Sequence, residues 1–159
     1  MGFYWIKKQK GLRDIPFIKV YLVATVWTML ITIIPFLQGE KETTVFDLLF
    51  TFSFFIYILA MAMLFDIKDI TIDDNQKRTI PKMAGIRNTQ MISLLLTAIS
   101  CTLFISSNTT LLLPVIIQFI FSSMVIYFTP RWTKEFQYSL YIDGVLYLPA
   151  LMATISIIF

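Results

Sequence analysis

Histidine is absent from the 159-residue chain, and Cys101 is the only cysteine. This composition excludes histidine-based catalysis, thiolate zinc sites and disulfide pairing within the chain. Charge is also scarce, because Lys, Arg, Asp and Glu together make up 14% of the residues. Any metal ion bound by these residues must therefore be held by oxygen ligands, and few acids are present to supply them.

Apolar residues dominate what is present. Hydrophobic residues make up 57% of the chain and the mean hydropathy is +0.76, both well above the values of soluble globular proteins. At about 1.5 Å per residue, the run 45–65 reaches about 31 Å, which matches a hydrocarbon core of about 30 Å. We predict an all-α fold, a polytopic transmembrane bundle of about five helices in one domain, 1–159, with these spans: 17–37, 45–65, 91–106, 111–128 and 144–159.

The basic residues are concentrated in every second loop, which places them on one side of the membrane in a five-span topology. The segment before the first span is basic, the loop 66–90 carries five Lys or Arg residues, and Arg131 lies in the fourth loop. The intervening loops carry only Lys41. By the positive-inside rule, the N-terminus and the 66–90 loop are cytoplasmic, and the C-terminus lies on the opposite side. The net charge of +3 is thus explained by the lipid bilayer, and no nucleic-acid partner is predicted.

Several polar residues within the spans have expected structural roles. The third span is rich in small and hydroxyl residues, which favours close helix packing in lipid. Gln118 is expected to form an interhelical hydrogen bond, and Lys19 is expected to extend its ammonium group to the interface. Pro35 is expected to kink the first span.

The candidate site is an acidic stretch that begins where the second span ends. If the helix continues past Phe65, Asp66, Asp69 and Asp73 fall at positions i, i+3 and i+7, on one face. A face of carboxylates is the ligand type that Mg²⁺ prefers. The alternative is a solvated loop in which these acids and the nearby Lys77 simply keep the chain out of the bilayer.

The residues that follow the three acids distinguish these interpretations. After Asp73 come a basic residue, a threonine, an aliphatic residue, a proline and a glycine, namely Arg78, Thr79, Ile80, Pro81 and Gly85. This pattern resembles the second aspartate-rich motif of the UbiA-type membrane prenyltransferases. Near the N-terminus, the segment from Tyr4 to Lys8 resembles the Tyr-x-x-x-Lys element of that family.

The resemblance implies a fold and a chemistry. The fold would correspond to the C-terminal part of the family's nine-helix bundle. The activity would be Mg²⁺-dependent binding of an isoprenyl diphosphate and prenyl transfer to a small acceptor, an aromatic compound or a lipid. Carried over to this chain, Mg²⁺ would be held by Asp66, Asp69 and Asp73, and the diphosphate would be contacted by Tyr4, Lys8, Lys77 and Arg78. The resemblance does not identify a catalytic residue.

The first aspartate-rich motif of the family, of the Asn-Asp-x-x-Asp kind, does not occur in this sequence. The isolated chain is therefore expected to be inactive. Three explanations are open: a C-terminal piece of a longer protein, which we favour; an inactive partial homologue or small non-enzymatic integral membrane protein; and a site completed by a homodimer or a separate N-terminal half. A channel or transporter is disfavoured because no span carries a central ionisable residue.

Overall fold

The computed structural model describes residues 18–38, 44–68, 70, 79–107, 112–132 and 135–147. These residues are almost entirely helical and include no β-strand. The first half contains α1 (Ile18–Thr28), a π-helical turn (Met29–Ile33), α2 (Ile34–Gln38) and α3 (Val45–Lys68). The second half contains α4 (Ile80–Ala84), α5 (Ile86–Ser107), α6 (Leu112–Phe128), a 3₁₀ turn (Thr129–Arg131), α7 (Glu135–Tyr138) and a π-helical turn (Ser139–Asp143). Residues 144–147 continue as helix.

Three segments are long and apolar enough to cross a membrane: Val45–Ile67, Ile86–Ser107 and Leu112–Arg131. Two of them coincide with the predicted runs 45–65 and 111–128 over the residues described, and the third begins earlier than 91, because 86–90 join α5. That these helices cross a membrane stays a prediction. In the first run the apolar helix Ile18–Ile33 is shorter than a span. Most of the fifth run lies outside the described residues, so the count of five crossings stays a prediction.

The start of α3 and the π-helical turn after α1 both have local causes. Thr44 and Asp47 form a capping box: the Asp47 Oδ2 atom accepts from the Thr44 backbone N–H at 2.9 Å, and Thr44 Oγ1 accepts from the Asp47 N–H at 3.3 Å. The π-helical turn comes just before Pro35, where the Ile34 N–H donates to the Met29 carbonyl. Proline lacks a backbone donor, so a change in the hydrogen-bond pattern is expected here, and the predicted kink stays a prediction.

Helix α3 lies at the centre of the bundle and packs against α1 and α5. It is apolar on all sides, the pattern of a helix surrounded by other helices. The buried residues of α5 include four small polar side chains that are 0% exposed, Thr89, Ser93, Thr97 and Ser100. Ser100 Oγ donates to the Ser53 carbonyl of α3 at 2.8 Å. The close packing that was predicted from the third span is therefore present.

Enlarging one of these α5 residues should separate the two helices. Ser93 is 0% exposed, so Ser93→Leu forces extra methyl groups into a closed contact, and we expect a loss of about 1–3 kcal/mol in the free energy of unfolding. The matched control is Ser106→Leu on the same helix, where the side chain is exposed. Unfolding by SDS in mixed micelles, followed by circular dichroism, measures both. Equal stability of the two variants would contradict the packing described above.

Candidate functional site

Asp66 is a buried carboxylate near the end of the central helix. Its exposed fraction is 3%, and it lies two residues before α3 ends at Lys68. The helix therefore continues past Phe65, as predicted, at least as far as Lys68. Beyond it, Ile70 lies in a turn whose backbone N–H donates to the Ile67 carbonyl at 3.4 Å.

The cation beside Asp66 comes from the first turn of α1. Lys19 Nζ lies 3.3 Å from Asp66 Oδ1, and the Lys19 side chain is 36% exposed. The contact is one between charges, because Oδ1 makes no hydrogen bond of good geometry to Lys19 or to any other described residue. Lys19 thus extends towards the same end of the bundle as the acidic motif, and it partly offsets the cost of burying the carboxylate.

The far end of the 66–85 stretch returns to this same end of α3. Helix α4 packs against α3, and Ile80 and Ile67 belong to one buried cluster. Thr79 precedes α4, and its Oγ1 atom is buried and has no hydrogen-bond partner among the described residues. Gly85 ends α4 with φ of +85°, a conformation that favours glycine. Its carbonyl accepts from both the backbone N–H and the hydroxyl of Thr89, in the first turn of α5.

The structure therefore places Asp66, Lys19 and the Thr79–Gly85 segment at one end of the bundle. It does not test the rest of the predicted site. The predicted ligands of Mg²⁺ and diphosphate that lie outside the described residues are Tyr4, Lys8, Asp69, Asp73, Lys77 and Arg78. Their roles stay predictions.

The fit of this end to a magnesium ion rests on Asp66 alone. Its carboxylate is the right donor type, but one carboxylate does not make a site. Within the described ranges, no three acidic, cysteine or histidine side chains come close enough to hold a metal ion. If Mg²⁺ binds here, Asp69 and Asp73 would have to supply the other carboxylates.

One polar centre of the bundle was missed by the sequence reasoning. Tyr57, in the middle of α3, is fully buried, and its hydroxyl donates to the Val145 carbonyl at 3.0 Å. The same hydroxyl lies 3.0 Å from Ser122 Oγ on α6. Tyr57 therefore joins α3, α6 and the C-terminal helical segment, residues 135–147. The only hint in the sequence was a hydroxyl-bearing ring at the middle of an otherwise apolar run.

Gln118 lies one turn before Ser122 and is 2% exposed. Its side chain lies within hydrogen-bonding reach of the Tyr57 phenol of α3, so the interhelical contact predicted for this amide is present. The contact is not an ideal one, because Nε2 has no hydrogen-bond partner of good geometry within the part of the chain that the structure describes. A second amide also links helices: Gln90 Nε2 of α5 donates to the Ile126 carbonyl of α6 at 2.6 Å.

Comparison with known proteins does not identify a family. The chain matches no family model, no curated protein and no solved structure.

Proposed function

We propose that the Asp66 end of the bundle binds the diphosphate group of an isoprenyl diphosphate together with Mg²⁺, as part of a UbiA-like prenyltransferase. The observation that carries the proposal is a carboxylate, 3% exposed, near the end of a membrane-length helix and 3.3 Å from a lysine ammonium. Ionisable residues buried within a helical membrane protein are costly and are a default sign of function. The sequence pattern 66–85 supplies the choice of ligand.

The two charged groups have complementary chemistry towards a diphosphate. An ammonium contacts phosphate oxygens directly, whereas a carboxylate does so only through a cation. When bound, Mg²⁺ would neutralise the negative charge of the diphosphate leaving group. Lys19 would turn from Asp66 to a phosphate oxygen, and Asp66 would hold the metal with Asp69 and Asp73. The ion pair is thus the ligand-free arrangement of the site.

The apolar bundle beside this end supports the same proposal. The residues of α3 that precede Asp66 form an almost continuous buried stretch, which includes Met61 and Leu64 at 0% exposed. Such an interior keeps water away from an allylic carbocation, which would otherwise be hydrolysed. In this proposal the Asp66 end faces the cytoplasm, in agreement with the basic residues of the N-terminal segment and the 66–90 loop.

A second candidate is a non-enzymatic integral membrane protein. It is favoured by the same contact, because an ion pair at a helix end also serves to neutralise two charges where helices meet. The two functions differ in what happens when a diphosphate and Mg²⁺ are offered to the protein.

The test is binding of radiolabelled farnesyl diphosphate to the purified chain in detergent, with Mg²⁺ or with EDTA. Binding is the readout, since the first aspartate-rich motif is missing from the sequence. We expect binding that requires Mg²⁺ and that Asp66→Asn weakens about tenfold or more, the loss of one charge-assisted contact. Inorganic diphosphate should compete.

The matched control is Asp47→Asn, the same substitution at the opposite end of the same helix. Asp47 is only partly buried and serves as a helix cap far from Asp66, so this variant should bind like the wild type. The prenyltransferase proposal would be refuted if binding were the same in EDTA as in Mg²⁺, or if both variants weakened it equally. The non-enzymatic candidate would then be left.

A further inference from the structure

An apolar groove lies between α6 and the C-terminal helical segment, away from the Lys19–Asp66 pair. Its volume is about 460 Å³, within the range of small-molecule sites. One wall is the α6 stripe Phe121, Met124 and Phe128, and the other includes Leu140, Tyr141 and Val145. The side chains of Phe121, Met124 and Leu140 are each about half exposed. The groove is therefore open to the hydrocarbon.

Hydrogen bonds hold the two walls of the groove in place. Near one end the Tyr138 hydroxyl lies 3.1 Å from the Thr129 carbonyl and 3.2 Å from the Trp132 carbonyl. Burial raises the pKa of the Tyr138 phenol, which keeps this donor protonated. Deeper in the bundle, Tyr57 is bonded to the Val145 carbonyl. The groove is thus formed before any ligand arrives.

A cation lies at the mouth of the groove. Arg131 is exposed, and its guanidinium lies 5.4 Å from the ring of Phe128, a groove residue. It also lies 4.7 Å from the Tyr127 ring, and Nη2 donates to the Tyr127 hydroxyl at 3.1 Å. The side chains that the structure describes offer Arg131 no carboxylate within ion-pair distance. At this same end Trp132 stacks on Tyr141, the kind of aromatic residue found at membrane interfaces.

The length of the groove indicates what fits. From Phe121 to Phe128 the α6 wall rises about 10 Å, close to the thickness of one leaflet's hydrocarbon, about 15 Å. A second transmembrane helix would need a groove along the whole span. One acyl chain entering from the Arg131 end fits both the length and the apolar lining, and a phosphate above it would meet the guanidinium.

We propose that this groove is a binding site for an anionic phospholipid, with one acyl chain between α6 and the C-terminal segment and the phosphate on Arg131. The site does not depend on the proposed prenyltransferase function. Gly144 makes the proposal testable: it lines the groove, and a Cβ built on it meets nothing within 4 Å. A larger side chain there would occupy the groove without a clash at its Cβ.

The test uses Trp132 as a reporter inside the groove. The other two tryptophans are removed by Trp5→Phe/Trp27→Phe, and the full chain is reconstituted in phosphatidylcholine vesicles. Fluorescence quenching is then compared between phosphatidylglycerol and phosphatidylcholine, each brominated on the acyl chains and present at equal mole fraction. We expect phosphatidylglycerol to be preferred by up to about fivefold, the effect of one basic residue near anionic lipid.

Three variants and one reference reporter complete the design. In Arg131→Gln, the two lipids should quench Trp132 equally. Gly144→Leu should lower quenching by both lipids, whereas Gly144→Ala should lower it much less. In Trp5→Phe/Trp132→Phe, the lipid-exposed Trp27 should show no preference between the lipids.

Three results would overturn the proposal. The first is equal quenching of Trp132 by the two lipids. The second is a preference for phosphatidylglycerol that persists in Arg131→Gln or Gly144→Leu. The third is that neither brominated lipid quenches Trp132. The last result would mean that protein, such as a second copy of the chain, covers the groove.

Discussion

Tyr57→Ala is expected to lower the free energy of unfolding by about 3–5 kcal/mol, the range for removing a large aromatic side chain from a core. The Tyr57 ring is fully buried in the middle of α3, so its removal leaves a cavity where three helical segments meet. The substitution also removes the only side-chain hydrogen bond that ties Val145 to α3 within the described residues. SDS titration in mixed micelles, followed by circular dichroism, gives the change.

Tyr57→Phe separates the cavity from the hydrogen bonds. This variant keeps the ring and loses only the hydroxyl, and side-chain hydrogen bonds within membranes contribute about 0.6 kcal/mol on average. We therefore expect a loss near 1 kcal/mol. Tyr147→Ala is the matched control, because that ring is 67% exposed and leaves no cavity. If Tyr57→Ala is no more harmful than Tyr147→Ala, the central packing of α3 described above is wrong.

The parts of the fold that depend on composition were predictable. The run 45–65 is apolar and long enough to span, and it became the central α3. The small residues of the third run indicated close packing, and Ser93, Thr97 and Ser100 are fully buried. Pro35 was expected to perturb the first helix, and a π-helical turn, Met29–Ile33, lies just before it.

The contacts that join distant parts of the chain were not predictable. Tyr57 looked like one aromatic residue among many, since its role depends on Ser122 and Val145 coming to the same depth. Gln118, the amide expected to link helices, does lie beside the Tyr57 phenol of α3, but the sequence did not indicate which residue it would meet. Spacing alone indicated a shared face for the acids, but it did not indicate that the partner of Asp66 is Lys19, which lies on another helix.

The Lys19–Asp66 contact should have an asymmetric effect on stability. Lys19→Met leaves a carboxylate that is 3% exposed without this cation, whereas Asp66→Asn leaves an ammonium whose side chain is 36% exposed and can still reach water. Removing one partner of a fully buried pair costs about 3–5 kcal/mol. Because Lys19 is partly solvated, we expect about 2 kcal/mol for Lys19→Met and less for Asp66→Asn.

The double variant Lys19→Met/Asp66→Asn then distinguishes stability from function. The double variant contains neither charge. Its loss in the free energy of unfolding should therefore be smaller than the sum of the two single losses, since replacing a buried ion pair by neutral groups often costs no stability. If the contact is only structural, the double variant should match the wild type both in stability and in the farnesyl diphosphate binding assay. If the prenyltransferase proposal is right, it recovers stability but fails to bind farnesyl diphosphate with Mg²⁺. Strictly additive effects would mean that the 3.3 Å contact contributes no coupling energy, and Lys19 would then have no place in the site.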